Sequence, residues 1–322
     1  MNSTRKHRGA DALIQALEAA GTRRVFTLSG NHIMPVFDAA FDSQIELIHT
    51  RHEASTVHMA DAYARITGEV GIALVTGGPG HANAVSALYT AQMAEAPIVL
   101  LSGHAPNDQL GQGAFQEMRQ ADMAASVTKA AWVCASADAV ASDIAKAIRL
   151  ARSDRPGPVQ LSLPTDVLDD VAAASALTVN AFVKESMPLD DRTATDLMQR
   201  LARAKRPMIL AGALCMTRPG RALIAALEEA SGIPVIGMES PRGIGDTSLG
   251  AFVQVLAQAD CVLLVGKRVD FTLKFGQAPF PAEAQVHQID AEPAEFERTR
   301  HALGTRSARA CKALRWPTPH RR

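Results

Sequence analysis

The chain has 322 residues, 47% of them apolar and 20% charged. That is a globular mixture at the length of about two domains of roughly 150 residues each, and it excludes wholesale disorder. Lys plus Arg number 33 and Asp plus Glu number 33, so the formal net charge is zero. The basic excess of a nucleic-acid binder is missing, and no apolar run approaches the ~20 residues that span a bilayer. The expectation is a soluble intracellular protein, an α/β enzyme being the commonest of this size, with neither nucleic acid nor membrane as partner.

Met1–Arg8 has the charge of a leader segment, but Ala10–Ala20 contains Asp11, Gln15 and Glu18, which excludes a signal-peptide apolar region. Leu13, Ile14 and Leu17 instead share one helical face. Strands are expected at Arg24–Leu28, Ile45–His49, Gly71–Thr76, Ile98–Ser102 and Val159–Leu163. Between them lie amphipathic segments near Ile33–Phe41, Glu53–Thr67, Gly80–Met93 and Ala137–Ala151. Strands alternating with helices of this length predict βαβ units and a parallel sheet. Asp166–Asp191 is rich in Ala and Val without clear periodicity.

The pattern then restarts. Helices are expected near Arg192–Ala204, Arg218–Ser231 and Leu249–Gln258, and strands at Pro207–Ala211, Pro234–Gly237, Cys261–Val265 and Gln285–Asp290. The predicted fold class is α/β, with two doubly wound parallel-sheet domains at residues 1–170 and 192–304 and a linker at 171–191. Residues 305–322 carry six Lys and Arg and no acid, which predicts a disordered basic tail. Cys134, Cys215, Cys261 and Cys311 are scattered and form no CxxC pair. They read as reduced thiols of a cytoplasmic protein.

Several familiar motifs fail. His52-Glu53-Ala54-Ser55-Thr56 opens like the zinc motif HExxH but has Thr at its fifth position, so one ligand is absent and no metal site is expected. Gly78-Pro79-Gly80 and Gly243-Ile244-Gly245 do not complete GxGxxG, and no P-loop or GxSxG is present.

Four segments survive, each just past a strand or loop and ahead of a helix, where parallel sheets place their sites. They are Ser29-Gly30-Asn31-His32, Arg51-His52-Glu53, Thr76 to Asn83, and Gly113-Ala114-Phe115-Gln116-Glu117. Their glycines allow close approach of backbone to a ligand. A carboxylate at a helix start above an apolar floor, as at Glu53, suits proton transfer.

The ordered set RHE, DAYAR-x-TG, GGPG-x-x-N, GAFQE and RPGPVQLSLPTDV resembles the pyrimidine-binding domain of thiamine-diphosphate-dependent enzymes. The branch is that of acetolactate synthase, benzaldehyde lyase, oxalyl-CoA decarboxylase and 2-hydroxyacyl-CoA lyase. The likeness covers about residues 8–170. Residues 190–300, including Ala259–Gly266, are similar to the central domain of the same family.

The resemblance implies that Glu53 hydrogen-bonds N1′ of the aminopyrimidine and so promotes loss of the cofactor's C2 proton. Gln116 matches an active-site glutamine. Thr76, Pro79, Gly80 and Asn83 match the turn that lines the pyrimidine ring. Gly30-Asn31-His32-Ile33 aligns with a segment in which benzaldehyde lyase carries a histidine, so His32 is expected to hold or shuttle a proton. His81 stands where acetolactate synthase has a small residue, which is either a difference in the substrate pocket or of no functional meaning. The implied activity is a decarboxylase, carboligase or C–C lyase acting on a 2-keto acid or 2-hydroxy ketone.

The family's third domain binds the diphosphate through Mg²⁺ with GDG followed by paired asparagines. Here Gly245-Asp246 is the only Gly-Asp pair and no Asn follows Asn180. The Mg²⁺–diphosphate half of the site is therefore expected from a missing domain or a partner chain, with a homo-oligomer or a split enzyme as the assembly and an inactive truncated fragment as the alternative. Acetolactate synthase carries Arg-Phe-Asp-Asp-Arg where it binds FAD. This chain has Arg268-Val269-Asp270-Phe271-Thr272, which argues against FAD. A non-catalytic module binding a nucleotide or CoA in the central domain is the remaining reading.

Overall fold

A computed structural model describes residues 7–173, 177–183, 189–239 and 241–304. The expected tail at 305–322 lies outside these. The chain divides into two compact units, Met1–Lys184 and Glu185–Arg322.

The first unit is built on six parallel strands: β1 (Arg24–Thr27), β2 (Glu46–His49), β3 (Gly71–Val75), β4 (Ile98–His104), β5 (Ala130–Val133) and β6 (Val159–Pro164). Their order across the sheet is β2-β1-β3-β4-β6-β5. β3, β4 and β6 are buried at every position, as expected of central parallel strands covered on both faces. β3 is apolar throughout, β4 opens with the apolar Ile98–Leu101, and β6 alternates its apolar residues with the buried Gln160 and Ser162. The edge strands β2 and β5 are only partly buried. Parallel neighbours need crossover connections. Helices α2 (Met34–Ala40), α3 (Glu53–Thr67), α4 (Pro79–Met93), α5 (Gln120–Ala125) and α6 (Val140–Arg152) supply them, and α1 (Gly9–Ala19) precedes β1.

Local chemistry sets the ends of the helices that matter for the site. The His52 side chain accepts the Ala54 N–H at the start of α3, and Gly68 ends that helix with φ 76°. Pro79 begins α4, where its missing N–H costs nothing. Two apolar clusters hold the unit together. One packs α1 and α6 on one face of the sheet through Leu13, Leu17, Ile144 and Leu161. The other packs α3 and α4 on the opposite face through Val57, Ala60, Leu88 and Leu100.

The second unit has four parallel strands in the order β10-β9-β7-β8. These are β7 (Pro207–Ala211), β8 (Val235–Gly237), β9 (Cys261–Val265) and β10 (Gln285–Ile289). Its long helices are α8 (Asp191–Arg203), counting a short helix at Thr165–Asp169 as α7, then α9 (Arg218–Ser231) and α11 (Pro293–Leu303). A five-residue α10 (Phe252–Leu256) lies between the last two. Asp190 caps α8 by accepting the Thr193 N–H, and Thr217 caps α9 by accepting the Gly220 N–H.

The structure differs from the sequence reading in several places. β5, α5, α7 and α11 lie outside the elements the sequence predicts. Part of the stretch read as linker packs on the first unit: Val171 bridges Arg8, and Phe182, in a turn at Val179–Phe182, is buried in the first cluster. The helix expected at Leu249–Gln258 is shorter, because Thr247–Leu249 forms a separate 3₁₀ turn capped by Asp246.

Candidate functional site

In the first sheet the chain runs from β1 outward to β2, then returns to place β3 on the other side of β1. Strand order reverses there, so the carboxyl ends of β1 and β3 flank the crevice where open α/β sheets bind ligands. The segment Gly30–Ile33 follows β1, Thr76–Gly80 follows β3, Glu53 opens α3 after β2, and the loop with Gln116 follows β4.

Glu53 is half-buried, and its Oε2 accepts a hydrogen bond from Asn83 Nδ2 at 3.0 Å. Asn83 lies one turn into α4, so this bond ties the starts of α3 and α4 together. Between them stands Gly80. A Cβ there would lie 2.7 Å from Thr76 Cγ2 and 3.2 Å from Glu53 Oε1, so the position admits only a glycine beside the carboxylate. A Cβ on Gly30 would likewise collide with Thr76. These glycines leave backbone bare of side chains beside Thr76 and Glu53. A carboxylate acceptor next to bare backbone is the chemistry that a flat heteroaromatic ring bearing a nitrogen would use.

His32 is buried at 2% exposure. Its Nδ1 lies 3.2 Å from Thr76 Oγ1 and its Nε2 3.1 Å from the Phe115 carbonyl oxygen. The Phe115 ring stacks on the imidazole at 5.6 Å and 12°. Burial lowers its pKa, with the Phe115 carbonyl opposing and His104 adding to the drop. Both ring nitrogens are therefore engaged by the protein.

Gln116 has φ 56°, a left-handed conformation that costs a non-glycine residue about 1–3 kcal/mol. It is packed against Gly78, itself at φ 58°, where a Cβ would lie 2.7 Å from the Gln116 Cβ. Asn31 and Pro79 are exposed at the helix starts after β1 and β3. The structure thus brings Gly30, His32, Glu53, Thr76, Gly80, Asn83 and Gln116 into one contiguous neighbourhood.

Sequence reasoning missed Gln120. This side chain is 1% exposed. Its Oε1 accepts the Gly78 N–H at 2.9 Å, and its Nε2 donates to the Gly103 carbonyl at 3.0 Å and to Ser162 Oγ at 3.1 Å. One amide fixes the turn after β3 to β4 and β6. A glutamine at the start of an apolar helix, four residues after Gln116, was the available signal.

Of the two readings open for His81, the structure favours the one without a pocket role: it is fully buried, with Nδ1 2.9 Å from Ser102 Oγ on β4, and packs under α4. Burial pushes its pKa down to about 4, the Gln120 backbone carbonyl pulling upward and His104 pushing further down.

In the second unit, Arg268 pairs with Glu295 at 3.1 Å, and Asp270 accepts the Thr272 N–H at 3.0 Å and lies 3.7 Å from Lys267. Among the described residues no group of three or more His, Cys, Asp or Glu gathers where it could hold a metal ion. None of their helices is long and apolar enough to cross a membrane.

Two family models match the chain: the N-terminal TPP-binding domain of thiamine pyrophosphate enzymes over residues 7–123, and their central domain over residues 194–308. The chain belongs to the thiamine pyrophosphate enzyme family. Among its relatives is an acetolactate synthase of Mycobacterium bovis, 31% identical over 310 residues, covering 91% of this chain and 50% of that protein. The large subunit of acetolactate synthase isozyme 3 of Escherichia coli is 30% identical over 316 residues, covering 90% and 54%. A catabolic acetolactate synthase of Raoultella terrigena is 33% identical over 273 residues, covering 80% and 48%. The chain spans about half the length of the curated relatives it matches. The two parallel-sheet units correspond to the N-terminal and central domains of the family.

Proposed function

We propose that this chain provides the pyrimidine half of a thiamine-diphosphate site in an acetolactate-synthase-like decarboxylase or carboligase acting on 2-keto acids. The observation that carries the reading is the cradle at the β1/β3 reversal. Glu53 is fixed by Asn83 at 3.0 Å, beside a Gly80 with no room for a Cβ. When bound, thiamine diphosphate supplies an electron sink for making or breaking a bond next to a carbonyl.

The chain's own residues act on the ring. The Glu53 carboxylate holds a proton at the ring nitrogen facing it, and the Asn83 amide keeps that carboxylate aimed. Thr76, Gly80 and Gly30 leave the ring's place clear. Gln116, on the loop packed against Gly78, is the polar residue we assign to the substrate side of the site. A charge-assisted hydrogen bond of this kind contributes about 1.5–3 kcal/mol.

The oxygen ligands that Mg²⁺ and a diphosphate require are assigned to a further domain or a partner chain. Oligomerisation follows if that half belongs to a second copy. No flavin is assigned to the second unit, where Arg268 and Asp270 are already engaged with Glu295 and Thr272. The proposed location is the cytoplasm.

Calorimetric titration of the full chain with thiamine diphosphate and Mg²⁺ tests the reading, with Glu53→Gln in parallel. The expected result is weak saturable binding that Glu53→Gln weakens about tenfold or more, the equivalent of about 1.4 kcal/mol. Absence of binding to the wild type, or binding that Glu53→Gln leaves unchanged, would overturn it.

A further inference from the structure

The loop between β4 and α5, residues 105–119, carries Gln116 yet is poorly anchored. Asn107 to Phe115 is almost wholly exposed, with Phe115 at 64%. Most of its hydrogen bonds are internal. Glu117 accepts the N–H groups of Gly111 at 2.7 Å and Ala114 at 3.2 Å, and Gln112 donates to the Asp108 carbonyl. At its foot, the Asn107 N–H reaches Asp166 at 3.0 Å. Such a segment opens easily unless something at its far end holds it.

His32 is placed to do so. Its Cβ lies against Gly103 of β4, where an added Cβ would come within 2.5 Å. The ring is therefore wedged between the strand and the loop. The Phe115 carbonyl can only accept, so Nε2 carries the ring hydrogen, and Nδ1 accepts from the Thr76 hydroxyl. One neutral tautomer satisfies both neighbours, and stacking with the Phe115 ring adds to the hold.

We propose that His32 is a positioning residue. Its imidazole clasps the far end of the loop through the Phe115 carbonyl and ring, and so holds Gln116, in its left-handed conformation, against Gly78. The same ring grips Thr76, so the two loops that flank the Glu53 cradle are set by one side chain. The use of Gln116 toward a cofactor or substrate rests on the function proposed above. The clasp itself does not.

Two conservative variants separate the ring's two bonds. An asparagine amide nitrogen falls at the place of Nδ1, and a glutamine amide nitrogen at that of Nε2. Amide hydrogen exchange of the full chain, read by peptide mass spectrometry, follows the loop and the sheet separately. The expected result is that His32→Asn speeds exchange over residues 107–117 about tenfold or more. His32→Gln, which can still donate to the Phe115 carbonyl, should stay near wild type. Peptides covering β3 should be unchanged in both. Loop exchange within twofold of wild type in His32→Asn, no rescue by His32→Gln, or equal acceleration throughout the unit would overturn the proposal.

Nitrogen-15 shifts of the wild-type His32 ring give a second test that needs no variant. A fixed tautomer protonated at Nε2 is expected at neutral pH, and one protonated at Nδ1 or averaging between the two overturns the clasp. Neither readout involves thiamine diphosphate, so the clasp and the cofactor reading fail separately.

Discussion

Replacing Gln120 with leucine tests how the turn after β3 is held in place. Leucine has nearly the volume of glutamine and a good helix propensity, so the packing at the start of α5 survives and the polar function alone is deleted. Three hydrogen bonds are lost, to the Gly78 N–H, the Gly103 carbonyl and Ser162 Oγ. Ser162 keeps its bond from Gln160 Nε2 at 2.9 Å, whereas the buried Gly78 N–H is stranded. Net hydrogen bonds contribute about 1 kcal/mol each and a stranded buried donor costs about 1–3 kcal/mol, while burial of the leucine offsets part of the loss. The expected destabilisation is about 3 kcal/mol.

In a unit ending at Lys184, that corresponds to a fall in melting temperature of about 6–12 °C. The chain has two tryptophans, Trp132 and Trp316. A Trp316→Phe background leaves Trp132 on β5 as the reporter of the first unit alone, followed by fluorescence. A shift below about 2 °C in Gln120→Leu would refute the argument that this amide holds the turn.

The remaining predictions concern acid, space and thiols. Because burial holds the His81 pKa near 4, below its ordinary value of 6.5, the folded state disfavours the proton. The group costs nothing above pH 6.5, and stability falls as the pH drops from 6.5 toward 4, by up to about 3 kcal/mol at one pKa unit per 1.4 kcal/mol. Urea unfolding of wild type and His81→Asn at pH 7.5 and 5 should show the larger loss in wild type, with the lowered His32 pKa adding a slope common to both. Gly80→Ala should cost about 1–3 kcal/mol by overpacking against Thr76 and Glu53 and should weaken thiamine diphosphate binding. Titration and melting of that variant check both effects. Burial pushes the Cys134 thiol up to about 12, helped by Asp143, and that of Cys261 up to about 11, helped by Asp260. Neither should be alkylated at pH 8 until the chain unfolds, which peptide mapping after iodoacetamide treatment would show.

Much of the architecture is legible in the residues. The central strands β3, β4 and β6 are buried on both faces, and their short β-branched and leucine-rich stretches, set between helical segments, admit few other readings. β5 was not legible because Ala130–Val133 is a short, half-exposed edge strand whose place depends on pairing with β6. α11 was missed because its Pro293 start and largely charged surface give a weak apolar stripe. The order of chemical residues past the strand ends pointed to one neighbourhood, since topology alone carries those ends to one edge of the sheet.

What supports the site was less legible. Gln120 reaches Gly78 and Ser162 across 42 residues in each direction, a meeting that no local pattern announces. The neighbours of His81 leave its role open in the sequence. Its place in α4 puts it with Gly80, Ala84, Val85 and Leu88 on the face turned to the sheet, and Ser102 completes the pair.

The central claim is that this chain grips the pyrimidine end of the cofactor through Glu53. Saturation-transfer NMR of thiamine in the presence of the full chain tests it most directly, because each part of the ligand reports its own contact. The account predicts strong transfer to the pyrimidine ring and its methyl group and weak transfer to the thiazolium and hydroxyethyl protons. All of the transfer should fall away in Glu53→Gln. Transfer led by the thiazolium, no transfer at all, or a pyrimidine signal that survives Glu53→Gln would contradict it.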